Sequence, residues 1–100
     1  MALTRFGFIV TGNGYDPAEH RVTLSSPRIT TIMVGVSKPE QAIPVARAMV
    51  DDGVQLIELC GGFGPIWTAR VIEAVDGKIP VGSVGYGPES IDQMHALFAT

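Results

Sequence analysis

Apolar residues gather along the chain into four runs of strand length. Arg5 to Thr11 reads R-F-G-F-I-V-T and Ile29 to Val36 reads I-T-T-I-M-V-G-V. Val54 to Cys60 reads V-Q-L-I-E-L-C and Ile79 to Gly85 reads I-P-V-G-S-V-G. The runs are nearly continuous and not cleanly alternating, which predicts strands covered on both faces in a parallel sheet. Parallel neighbours need crossover connections, so the intervening segments are expected to be helical.

The clearest helix is expected from Ser37 to Asp52. Ser37 and Glu40 have capping-box spacing, Pro39 suits a first turn, and Gly53 supplies a stop. Ile43, Ala46 and Val50 form the apolar stripe. Two features oppose it: Pro44, which should kink a helix interior at ~3 kcal/mol, and Asp51-Asp52 at the negative end of the dipole. A second helix starts at Pro65, turns Trp67, Val71 and Ala74 or Val75 inward, and ends at Gly77; a third starts at Pro88 and offers Ile91, Met94, Leu97 and Phe98. Asp16 to Leu24 has a helical start in Asp16, Pro17 and Glu19 but a poor stripe in Val22 and Leu24, before the loop Ser25-Ser26-Pro27.

Gly62-Phe63-Gly64-Pro65 recurs as Gly85-Tyr86-Gly87-Pro88, with a looser copy at Asn13-Gly14-Tyr15-Asp16-Pro17. Each copy follows a strand and opens a helix. The pattern implies an α/β fold of four βα units with a parallel sheet, either half-barrel-like or a small open sandwich, with right-handed crossovers.

Composition sharpens this reading. With 100 residues, the chain is expected to be a single α/β domain. Hydrophobic residues are 46% and charged residues 17%, which is apolar for a body this small, so a homodimer or higher homo-oligomer is expected. A net charge of −3 without a basic run argues against nucleic acid. The start lacks a cationic region before an apolar stretch and no segment is long enough to span a bilayer, so a cytoplasmic protein without membrane contact is expected. Cys60 has no disulfide partner, and His20, His95 and Cys60 stand apart, so neither a metal site nor a cofactor is expected. Neither G-x-G-x-x-G nor a P-loop is present.

Chemistry in parallel α/β folds sits beyond the carboxyl ends of the strands. That rim is built from Thr11-Gly-Asn13-Gly-Tyr15, Gly35-Val-Ser-Lys38, Cys60-Gly61-Gly62-Phe63-Gly64 and Gly85-Tyr86-Gly87. Its glycines and helix starts suit a small anionic metabolite carrying carboxylate or phosphate, or serve simply as tight βα loops. Glu58 interrupts an apolar strand on the face it shares with Leu56 and Cys60, and a carboxylate there must be protonated, paired or beside a wet cleft. It is the candidate general acid–base, or else a carboxylate that holds the rim in shape. Cys60 as nucleophile and Lys38 as amine are further catalytic candidates. His20 and Arg21 are candidate anion ligands, and Tyr15, Phe63 and Tyr86 a candidate aromatic wall. The expected function is a small lyase or isomerase acting on an anionic carbonyl compound; the alternative is a non-catalytic metabolite-binding or assembly module.

Two resemblances extend this reading. Asp16-Pro17-x-x-His20-Arg21 and Ile57-Glu-Leu-Cys-Gly-Gly-Phe-Gly64 make the whole chain resemble an uncharacterised family of small bacterial α/β proteins. Ala42-Ile-Pro-Val-Ala-Arg-Ala-Met-Val50, Gly53-Val-Gln-Leu-Ile-Glu58 and Ile79-Pro-Val-Gly-Ser83 are similar to the opening βα units of keto-deoxy-phosphogluconate aldolases. The second resemblance aligns Glu58 with that family's catalytic glutamate. It carries over no other functional residue: glycine stands in place of the family's arginine, and the Schiff-base lysine would lie past residue 100.

Overall fold

The computed structural model describes residues 2–99. Five strands form one open sheet: β1 (Arg5–Thr11), β2 (Arg21–Ser25), β3 (Thr30–Val36), β4 (Leu56–Leu59) and β5 (Val81–Ser83), in the order β2-β3-β1-β4-β5. β1, β3, β4 and β5 are parallel, and only β2 runs antiparallel, paired with β3 from Arg21 opposite Val34 to Ser25 opposite Thr30. Three helices follow the later strands: α1 (Ala42–Asp51), α2 (Gly64–Ala74) and α3 (Ile91–Phe98). The α/β class and the four expected strands are observed. The half-barrel arrangement is not, because β4 pairs with β1 and not with β3, its predecessor in the chain.

The first expected βα unit is replaced by a hairpin. Asp16–Leu24 does not continue as a helix; after a short turn the chain enters β2, whose Val22 and Leu24 alternate with Arg21, Thr23 and Ser25. Alternation with a period of two is strand logic, and it outweighs the helix-start residues at Asp16 and Pro17. β2 and β3 are joined by the turn at Ser26, whose amide donates to Ile29 O at 2.9 Å.

The core lies on one side of the sheet only. Ile9, Ile32, Val34, Val36, Ile57 and Leu59 point to the face where α1 supplies Ala42, Ala46 and Met49 and α2 supplies Val71. Gly7 shares this face because a Cβ there would meet Met49 Sδ at 2.7 Å. The alternate positions point the other way: Phe6, Phe8 and Val10 of β1, Met33 of β3, Leu56 and Glu58 of β4, and Val22 and Leu24 of β2. None of these belongs to the core cluster or packs against it. The expectation that the strands are covered on both faces is therefore wrong. Their continuous apolarity has two sources, an inner face packed under α1 and α2 and an outer face that lies outside the core cluster.

The helix expected from Ser37 begins in two stages. A single 3₁₀ turn spans Pro39–Gln41, and α1 starts at Ala42. Pro44 thus falls in the first turn of α1, where its missing N–H breaks no bond, and the expected kink does not arise. Gln41, not Glu40, closes the start: its Oε1 accepts from the Ser37 amide at 2.8 Å and the Lys38 amide at 3.2 Å. At the other end Asp52 is held by Arg5 Nη2 at 2.6 Å, which offsets its position at the negative end of the helix. α3 differs most from expectation. None of its residues is buried, and Ile91, Leu97 and Phe98 are 60%, 68% and 73% exposed.

Replacing Leu59, fully buried between sheet and helices, by alanine is expected to cost about 2–5 kcal/mol. Leu24→Ala on the outer face is expected to change stability by less than about 0.5 kcal/mol in the dilute monomer. Urea unfolding of both variants checks the contrast.

Candidate functional site

The parallel strands taken alone run β3-β1-β4-β5, so connections leave β1 to one side and return past it to the other. The chain steps from β1 to β3, and then over β1 to β4. The carboxyl ends of β1 and β4 therefore form a topological switch point, the place where open α/β sheets hold ligands. A cleft of about 770 Å³ opens there, with Val10 and Thr11 from β1, Cys60, Gly61 and Gly62 after β4, and Tyr86 after β5 among its walls. Met94 and Phe98 of α3 close its far side.

The loop after β4 is fixed by backbone bonds that prolong the sheet. The Cys60 amide donates to Ile9 O at 3.1 Å, and the Val84 amide donates to Leu59 O at 2.9 Å. The Thr11 amide lies 3.2 Å from Cys60 Sγ and donates to it, and Thr11 Oγ1 approaches the same sulfur at 3.2 Å. Gly62 is required by this contact: a Cβ at that position would stand 2.5 Å from Thr11 Oγ1. The chain then makes one 3₁₀ turn, Gly61–Phe63, and enters α2 at Gly64 with φ +69°. Amides at the start of such a turn have no partner within it.

The expected site residues divide into groups. Cys60, Gly61, Gly62 and Tyr86 line the switch-point cleft. Tyr15, His20 and Arg21 line a separate cleft of about 340 Å³, which shares Val10 as a wall. Phe63 is not part of an aromatic wall, because it is buried in the core at 3% exposure. Gly64 serves the helix start, and Asn13 is an exposed turn residue that lines neither cleft. Lys38 is exposed ahead of the 3₁₀ turn after β3, outside both clefts.

Glu58 does not have the environment expected of it. It lies on the outer face between Phe8 and Gly82, exposed to solvent, with no hydrogen bond or ion pair among the described residues. The open side of the sheet leaves it in contact with water. It is two residues before Cys60, next to the cleft but not lining it.

Asp16-Pro17-x-x-His20 is a self-closing turn. Asp16 Oδ1 accepts from the Ala18 amide at 2.9 Å, and His20 Nδ1 accepts from the Asp16 amide at 2.8 Å. The neutral His20 ring therefore carries its proton on Nε2. Tyr15 stacks at 5.3 Å from His20 and covers the backbone of Gly35, where a Cβ would meet the ring at 2.8 Å. Sequence reasoning placed Thr11 on the rim without giving it a role, and it missed Val84, Met94 and Phe98. The α3 residues read as ordinary core. Among the described residues no cluster of His, Cys, Asp and Glu is placed to hold a metal ion, and no helix is long and apolar enough to cross a membrane.

Gly62→Ala is expected to destabilise the fold by about 1–3 kcal/mol through the clash with Thr11. Adding Thr11→Ala should restore part of that loss, giving a coupling measurable in a double-mutant cycle by urea unfolding.

Comparison with curated proteins and with solved structures gave no match. A family profile does match, over residues 4–99, and by that coverage the chain belongs to the family of unknown function DUF6506.

Proposed function

We propose that the protein binds a small anionic metabolite in the cleft at the carboxyl ends of β1 and β4. One observation carries this reading: the cleft coincides with the topological switch point of the sheet. Its volume, about 770 Å³, falls in the range that holds metabolite-sized ligands. Among the described residues no carboxylate lines it, while the amides of Gly61 and Gly62 open a turn that leads into α2. Those amides suit a carboxylate or phosphate, and Tyr86 and Phe98 suit the less polar body of the same molecule.

A second reading is supported by the position of Glu58 on β4, two residues before Cys60 of the cleft wall. In this reading the protein is a lyase or isomerase, and Glu58 moves a proton next to the carbonyl of a ligand held by the glycine loop. The similarity of 42–58 and 79–83 to keto-deoxy-phosphogluconate aldolases favours the same glutamate. Cys60 is held by Thr11 in the cleft wall and contributes shape.

Phosphorylated sugars, keto acids and nucleotides screened by thermal shift test the first reading. A keto acid or sugar phosphate is expected to raise Tm by several degrees, and Tyr86→Ala to remove the shift without lowering the ligand-free Tm. A panel without any stabilising anion would contradict it. With a ligand in hand, solvent deuterium exchange at the carbon beside its carbonyl separates the readings. Catalysis predicts exchange that Glu58→Gln abolishes while binding persists; binding without exchange leaves a metabolite-binding module.

A further inference from the structure

The outer sheet face is the largest feature that the proposed cleft does not explain. Eleven strand positions point to it, from Phe6 on β1 to Gly82 on β5, and Glu58 alone among them is charged. Phe8 and Met33 stand side by side near its middle, flanked by Phe6, Val10 and Leu56. Val22, 50% exposed, continues the patch onto β2. No described helix covers this face with core packing, and none of these side chains touches the core cluster.

The exposed area gives the scale of what is missing. A folded monomer of 10.6 kDa is expected to expose about 5,500 Å². This chain exposes 6590 Å². The surplus, about 1,100 Å², belongs to the whole chain, exposed α3 included, and is of the size of the ~800 Å² that each partner contributes to a stable protein interface. The chain is also extended for its length, with a radius of gyration of 14.2 Å where about 13 Å is expected. An apolar and nearly uncharged face matches the composition of interfaces between identical subunits, and it carries no charge pattern to select an unlike partner. A net charge of −3 repels anionic lipid.

We propose that this face docks a second copy of the same chain, giving a two-fold dimer of sheets packed face to face. The packed sheets lie about 10 Å apart, which withdraws Phe8 and Met33 from water in both protomers. Val10, at the carboxyl end of the face, walls both clefts, so the docked copy narrows their openings. The dimer does not depend on what the switch-point cleft binds.

Sedimentation equilibrium over a concentration series, from nanomolar to tens of micromolar, tests the dimer. The wild type is expected to approach twice 10.6 kDa at the upper end. Phe8→Glu should weaken association by about 100-fold or more, because it adds two carboxylates to the interface directly beside those of Glu58, where like charges repel. Ile66→Glu, on the solvent side of α2 and 66% exposed, should leave the dimer intact. If Phe8→Glu fails to fold by circular dichroism, Val22→Lys at the half-exposed edge serves in its place, with a loss of about 10-fold or more expected. A wild-type monomer throughout the series overturns the proposal, and so does a folded Phe8→Glu or Val22→Lys variant that associates like wild type. A monomer that instead co-sediments with phosphatidylcholine–phosphatidylserine vesicles would assign the face to lipid and also overturn it.

Discussion

The handedness of strand crossovers decides which face of this sheet is covered. A right-handed connection that moves one way across a sheet lies on one face, and one that moves the other way lies on the opposite face. Two connections, β3 to β4 and β4 to β5, move in the same direction, and their helices α1 and α2 pack on the same face. The connection from β1 to β3 moves the other way, so its helix would have covered the outer face. The chain puts a short turn and an edge strand there. The Tyr15 ring, resting over the backbone of Gly35, occupies part of the place that a helix would fill. The same reversal at β1 creates the switch point and its cleft, so one feature of topology produces both the candidate site and the uncovered surface.

This arrangement loads the folding energy onto one layer. Thirteen apolar residues are buried between the sheet and two helices, and α3 adds none. Burial of that layer must offset the ordering of the whole backbone, including an outer sheet face that gives little in return as a monomer. Face-to-face pairing would convert the same apolar side chains from a solubility liability into a second core. The position of Glu58 takes on meaning in that setting. It is hydrated in the isolated chain, and it sits within a face whose other side chains favour withdrawal from water.

Much of the fold was legible because strand and helix periods are local properties. Arg5–Thr11 was readable to the residue, and the Pro65 and Pro88 starts mark helices within a turn of where they occur. β2 was missed although its alternation, Arg21-Val-Thr-Leu-Ser25, is plain; the capping residues of a self-closing turn were mistaken for the start of a helix. Two-sided burial was inferred from continuous apolarity, and that inference is not available to a single chain whose second face is satisfied elsewhere or not at all. In the site, the glycine loop and Tyr86 could be read from strand-loop-helix spacing. Phe63 could not be separated from them, since only the 3₁₀ turn directs it inward. Glu58 looked stranded because the apolar residues around it implied cover that the sheet lacks.

The methionines offer a direct measure of whether the outer face is bare or paired. Met33 lies on that face and Met49 lies in the core at 3% exposure, so their oxidation by hydrogen peroxide reports the two sides of the sheet separately. The account expects Met33 to oxidise almost as slowly as Met49 in concentrated protein, and to accelerate on dilution while Met49 stays slow. Rapid oxidation of Met33 at every concentration would show a face that remains open to water, and would contradict the account.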